Sequence, residues 1–191
     1  MSEWMTYRIN TVFSPVPGYA LEARCSGDYS GFMHILGHES THVVDLVLGV
    51  TPYLRPAVPS VDGGPRRETP TIADLQESGP SAPATVESRS KDEPPANASF
   101  TEGIWKEYRK PRWKYDFRAR KAITFYGLSG GPYLSLDSAA DVYRRLGDTP
   151  FVSLYAATTA AEDLAELVTW HHLTDRLGVT TTITCTEPNS D

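Results

Sequence analysis

Cysteine is scarce in this chain. Only Cys25 and Cys185 occur, flanking most of it, and neither has the spacing of a zinc–thiolate knuckle. A disulfide joining the two would suit an exported protein, and two unrelated buried thiols are the other reading. No apolar run is long enough to span a membrane. The N-terminus MSEWMTYRIN lacks the charged-then-apolar pattern of a signal peptide. As written, the chain is expected in the cytoplasm, or outside it if an export segment has been removed. Positive charge is not in excess either. Eighteen Lys and Arg stand against 24 Asp and Glu, a net charge of −6, which excludes a generic binder of polyanions. From Thr51 to Ala98 aromatic residues almost vanish and Pro, Ser, Glu, Gly and Asp dominate. Residues 55–98 therefore read as a flexible insertion, with one helical turn over Thr71–Gln76. The rest contains enough hydrophobic sequence, four Trp included, for one core and one domain.

What is present is concentrated in Gly31–Gly49, GFMHILGHESTHVVDLVLG. His38-Glu39-Ser40-Thr41-His42 is an HExxH pattern. On a helix the two histidines stand one turn apart on one face, at a separation that a single Zn²⁺ can bridge. Glu39 follows the first ligand, where its carboxylate can take a proton from an activated water. Ser30 and Gly49 are plausible caps. Residues such as Phe32, Ile35, Leu36, Val43 and Val47 make the helix apolar nearly all round, which predicts a buried central helix. His34 lies on the histidine stripe, as a partly buried histidine or as part of the site. Buried histidines without metal, held by hydrogen bonds, are the competing reading of the whole stripe.

Catalytic zinc needs a third protein ligand. Thr159-Ala-Ala-Glu162-Asp163-Leu-Ala-Glu166 opens the last large helix, predicted over Ala160–Leu177. Glu162 and Glu166 share one face of it. Glu162 can complete a His₂Glu set, and Glu166, a turn on, can accept the free N–H of a ligating histidine. Thr159-x-x-Glu162 is also a capping box, which would employ Glu162 on the backbone instead. Asp163, Asp45 and His171-His172 are the other candidate ligands. Asp45, three residues after His42, suits a supporting position behind the ligands better than ligation.

Around these helices, alternation predicts strands at Thr6–Phe13 and Tyr19–Cys25. A further hairpin is expected from Lys121–Tyr126 and Tyr133–Leu136, then a helix over Ala139–Leu146 and a last strand at Thr180–Thr184. Tyr19–Cys25 reads either as an ordinary strand or as an edge along which a peptide is added. Trp105–Lys121 interleaves rings with cations, as in single-strand nucleic-acid grooves, but also as in a half-buried element with a charged outer face. The fold class is α+β, a small mixed sheet packed on the HExxH helix and a second ligand-bearing helix.

HExxH followed by a helix with E-x-x-x-[DE] resembles the gluzincin group of zinc metallopeptidases. The wording Glu-Asp-Leu-Ala-Glu is similar to bacterial zincin-like proteins with an EDxAE second motif. The resemblance covers only the two helices, about thirty residues. It implies a zincin-like fold with His38, His42 and Glu162 as zinc ligands, Glu39 as general base and Glu166 behind the ligands. Tyr155, seven residues before Glu162, is the implied oxyanion donor, and a core tyrosine is its alternative. The function expected is a zinc-dependent peptidase acting on a protein or peptide. The alternatives are an inactive zinc-binding interaction protein and a nucleic-acid module using residues 105–121, with peptide favoured over nucleic acid.

Overall fold

The computed structural model describes residues 1–27, 31–51 and 98–188. The chain divides into two compact units, Met1–Leu54 with Pro95–Asp191, and Arg55–Pro94. Every described residue belongs to the first. The expected insertion lies outside the described residues, Ala98 apart, as does its Thr71–Gln76 turn.

The described unit is mixed α and β, with three two-stranded sheets in place of the single small sheet expected. Helix α1 (Ser2–Asn10) stands where a strand was predicted. Its sequence satisfies both periods, and tertiary contacts decide between them. Met5 and Ile9 point into the core. Ser2, Thr6 and Asn10, four residues apart, line up against strand β2 (Ala20–Cys25). Thr6 Oγ1 receives the Ala23 N–H at 2.8 Å, Asn10 Nδ2 donates to the Leu21 carbonyl at 2.8 Å, and Ser2 Oγ receives the Cys25 N–H at 2.9 Å. One edge of β2 is thus filled by α1, and the other pairs antiparallel with the C-terminal strand, Thr181–Thr186. No edge of β2 remains for an added peptide strand. The register sets Cys25 opposite Thr181 and Cys185 opposite Leu21. Four rungs, about 13 Å, separate the cysteines, too far for a disulfide, and both are free thiols.

A short strand β1 (Phe13–Ser14) follows α1. Helix α2 (Gly31–Leu48) carries the HExxH pattern, and its orientation reverses the expectation. The buried residues are His34, His38, Thr41 and Asp45, while the apolar residues face outward, Leu46 with 70% of its surface exposed. A buried polar stripe is costly unless its groups are paired. Here partners from α1 and the last helix meet His34 and His38, while Thr41 donates to the Gly37 carbonyl and Asp45 pairs with Thr51, so a polar network rather than apolar area orients α2. The helix ends at Gly49, whose φ of +63° turns the chain. Asp45 then receives the Thr51 N–H and hydroxyl, each at 2.6 Å. Both its carboxylate oxygens lock the helix exit, which is a different task from supporting a histidine. No helix among the described residues is long and apolar enough to cross a membrane.

After α3 (Ala98–Glu102), strands β3 (Trp105–Glu107) and β4 (Lys110–Pro111) form a small antiparallel ribbon. Trp105 is buried, and its indole N–H donates to Asp163 at 2.8 Å. Residues 118–122 form a tight 3₁₀ turn that runs into the segment expected as a strand, Lys121–Tyr126, which holds no strand. Buried Arg120 fixes the turn, donating to Asp116 and to the carbonyls of Ala157 and Arg109. Strand β5 (Leu134–Ser135) pairs in parallel with β1, not in a hairpin. Helix α4 (Ala139–Gly147) comes as predicted. Helix α5 (Ala160–His171) is shorter than predicted, passing into a wide π turn over His172–Arg176 before Gly178 at φ +65°. Strand β6 (Thr181–Thr186) closes the chain. The core gathers Met5, Ile9, Trp105, Phe125, Val142 and Phe151 with the Ala-rich start of α5.

Candidate metal centre

Helices α2 and α5 cross closely because Gly37 faces Thr169, where a Cβ would come within 3.3 Å of the threonine hydroxyl. That approach brings the histidine stripe against the glutamates of α5. His38 Nε2 lies 2.9 Å from Glu162 Oε2, His42 Nε2 lies 3.2 Å from the same oxygen, and the two imidazole nitrogens are 3.1 Å apart. Donors around a tetrahedral zinc, bound at about 2.0–2.1 Å, stand about 3.3–3.4 Å from one another. The triangle is slightly tighter than that and fits an ion after a small expansion. Two imidazoles and one carboxylate are a donor set that zinc accepts. Thr159 caps α5 by receiving the Glu162 N–H at 3.2 Å. Only half of the capping box is used, since the Glu162 carboxylate turns to the histidines.

Glu166 is fully buried one turn further on. Arg8 Nη2 donates to its Oε1 at 2.8 Å, and His34 Nε2 stands 3.1 Å from the same oxygen. Ser153 Oγ and Trp170 Nε1 donate to Oε2 at 2.7 and 3.2 Å. His38 Nδ1 lies 3.0 Å from Oε1, but off the N–H axis, so this contact is an ion pair more than a hydrogen bond. His38 therefore spans two carboxylates, Glu162 on one ring nitrogen and Glu166 on the other. His34, His38 and Glu166 form a second close group. Its cation is already supplied by the Arg8 guanidinium, 3.1 Å from His34 Nε2. With one hydrogen at most, that nitrogen either accepts from Arg8 or donates to Glu166. Arg8 is itself enclosed by rings, 4.6 Å from the Tyr155 centroid and 5.4 Å from that of Trp4.

Burial opposes charge on His38, yet its hydrogen bond to Glu162, the close contact with Glu166 and the negative charge of both outweigh it and raise its pKa to about 9. Burial pushes Glu162 up, but the hydrogen bonds from His38 and His42 prevail and hold it at about 2. Without metal, the pair is an imidazolium beside a carboxylate, and an incoming ion must displace that proton. Tyr155 is raised to about 12, by burial first and then by the charge of Glu162, so its hydroxyl keeps its proton. Its ring lies 5.5 Å from that of His38, and it lines the same cleft as Glu162. Glu39 is exposed at the surface of α2.

Among the predicted residues, the structure gathers His38, His42, Glu162, Glu166 and Tyr155 and sets Asp45 at the helix exit. Asp163 is occupied by Trp105, and exposed His171 pairs with Asp175. Arg8, Ser153 and Trp170 were not anticipated. Nothing local marks Arg8, which lies 158 residues from its partner Glu166. Trp170 is four residues after Glu166 on one helix, a spacing that could have suggested the contact. No family model, curated protein or solved structure matches the chain, so any functional reading rests on the geometry of this cluster and on its sequence motif.

Proposed function

We propose that the protein is a zincin-like, zinc-dependent peptidase, with His38, His42 and Glu162 as the metal ligands. The observation that carries the reading is the convergence of three ligand atoms, from helices 120 residues apart in sequence, within 3.2 Å of one another. Zinc held there supplies Lewis acidity toward a water and a scissile carbonyl. Glu39 takes the proton from the water and passes it to the leaving amine. Its exposure keeps it within reach of solvent. Tyr155, protonated at neutral pH, donates a hydrogen bond to the oxyanion. Glu166 orients His38, and against its burial the neighbouring imidazoles of His34 and His38 and the Arg8 charge hold its carboxyl well below the usual carboxylate range. The rings of residues 105–121 support a peptide substrate over nucleic acid. Trp105 is buried, and Tyr108, Tyr115 and Phe117 pack on the core, which leaves Trp113 as the freely exposed ring there.

The test is metal analysis of the purified protein together with peptide hydrolysis. The wild type should bind one zinc, and His38→Ala should lose it. Glu39→Gln should keep the zinc and lose hydrolysis by several orders of magnitude. A wild type that neither contains zinc nor can be loaded with it refutes the reading. A zinc-loaded wild type that cleaves nothing leaves the inactive zinc-binding scaffold.

A further inference from the structure

Beside the candidate metal centre lies an open cleft of about 640 Å³ that reaches from Glu162 and Tyr155 to the β4 ribbon and the 118–122 turn. Its charged lining is one-sided. Among the described residues, Arg109, Lys110, Arg120 and Lys121 contribute cations, and Glu162, a proposed metal ligand, is the single acid. Two of the cations are already engaged. Arg120 is buried and spends its guanidinium on Asp116 and two carbonyls, and Lys110 stands 3.7 Å from Glu107. Arg109 and Lys121 are exposed, and neither side chain makes a hydrogen bond or ion pair with a described residue. Arg109 is nonetheless anchored. Its carbonyl receives a hydrogen bond from Arg120, which also grips Ala157 ahead of α5. The main chain beneath this cation is thus tied to the segment that carries Tyr155 and Glu162. Ile123, Phe125 and Leu128 supply an apolar wall to the same cleft. In a molecule of net charge −6, such a local excess of positive charge selects for an anion.

We propose that this cleft binds peptides through a carboxylate, held by Arg109 and Lys121, with an adjoining apolar side chain against Phe125 and Leu128. The inference rests on the peptidase reading and names its substrate class. The carboxylate belongs either to an Asp or Glu side chain or to the peptide C-terminus. Nucleic acid shares the negative charge, but it also needs exposed rings to stack on; the rings in this cleft are the buried Phe125 and the half-buried Tyr155, and the exposed Trp113 is not part of the lining.

The experiment uses the full zinc-loaded chain and four peptides of one apolar core sequence. One carries an internal Glu with an amidated C-terminus, one is neutral with a free C-terminus, one is neutral and amidated, and one carries an internal Lys and is amidated. Hydrolysis is measured as kcat/KM. Binding is measured separately on Glu39→Gln, by anisotropy with an uncharged fluorophore. At least one carboxylate peptide should exceed the neutral amidated peptide roughly tenfold in both assays, and the preference should weaken with salt. The first two peptides decide which carboxylate is used. In Arg109→Glu/Lys121→Glu the preference should vanish or reverse in favour of the Lys peptide, while zinc content stays at the wild-type level. Equal handling of all four peptides, or displacement of the Glu peptide by an oligonucleotide at lower concentration, overturns the inference. The two readings fail differently. Selective binding without hydrolysis sinks the peptidase and keeps the cleft, and hydrolysis without selectivity does the reverse.

Discussion

Replacing Glu166 with glutamine removes one charge and almost no volume, so its effect isolates the electrostatics of the core. In the wild type, the carboxylate faces Arg8, His34 and His38 on one oxygen and Ser153 and Trp170 on the other. A glutamine oxygen placed toward Arg8 keeps that hydrogen bond and loses the ion pair. Its amide nitrogen then faces two donors. Ser153 can rotate its hydroxyl to accept, but the Trp170 N–H cannot, so one donor–donor contact remains. Arg8 and Glu166 are both buried, and breaking such a pair from one side costs about 3–5 kcal/mol. Urea unfolding in the presence of a chelator measures this without a contribution from bound metal. The double variant Arg8→Met/Glu166→Leu should lose less than the sum of its single variants, by about 1–3 kcal/mol, because neither charge is left alone. Zinc affinity by chelator competition should fall about 10- to 100-fold in Glu166→Gln, since His38 loses its orienting carboxylate. A Glu166→Gln protein within about 1 kcal/mol of wild type would refute the premise that this ion pair organises the α1–α2–α5 junction.

Asp163 is buried with one strong donor, the Trp105 indole, and desolvation outweighs that bond and raises its pKa to about 7. A raised carboxyl favours the folded state below the unfolded pKa of about 4, and that stability is lost as pH rises through about 7. Asp163→Asn keeps an acceptor for Trp105, so it should stabilise the fold at pH 8 but not at pH 4, as read by thermal melts of the metal-free protein. Asp45→Ala leaves the Thr51 N–H and hydroxyl without their acceptors and should cost about 1–3 kcal/mol in urea unfolding. Val43→Gln and Leu46→Gln lie on the exposed side of α2 and should change stability by less than about 0.5 kcal/mol, against about 2–5 kcal/mol for a buried side chain cut back in a core.

How much was legible in the sequence divides along physical lines. Helices α4 and α5 were read from helical spacing and caps, and α2 from its apolar length and the Gly49 stop, signals that lie within a few residues; its Ser30 cap lies outside the described residues. The spacing of His38 and His42, and of Glu162 and Glu166, fixed which side chains share a face, because helix geometry is local. Strand β2 and the last strand were visible for the same reason. The segments that failed, Thr6–Phe13 and Lys121–Tyr126, are short, and their patterns fit more than one period. In each, distant partners chose the conformation. For the first this is the β2 backbone edge, and for the second the grip of Arg120, just before it, on the carbonyls of Ala157 and Arg109, which sets the 3₁₀ turn that runs through Ala122.

The sequence by itself determined the composition of the centre, two imidazoles and a pair of carboxylates in fixed local order. Tertiary structure alone decided that Glu162 meets both histidines, that Arg8 supplies the charge behind them, and that α2 turns its polar stripe inward. The reason is that burying a polar group is unfavourable until a partner arrives, and such partners can come from anywhere in the chain. A pattern of apolar residues records how much of a helix avoids water, but not which remote charge will meet its polar face.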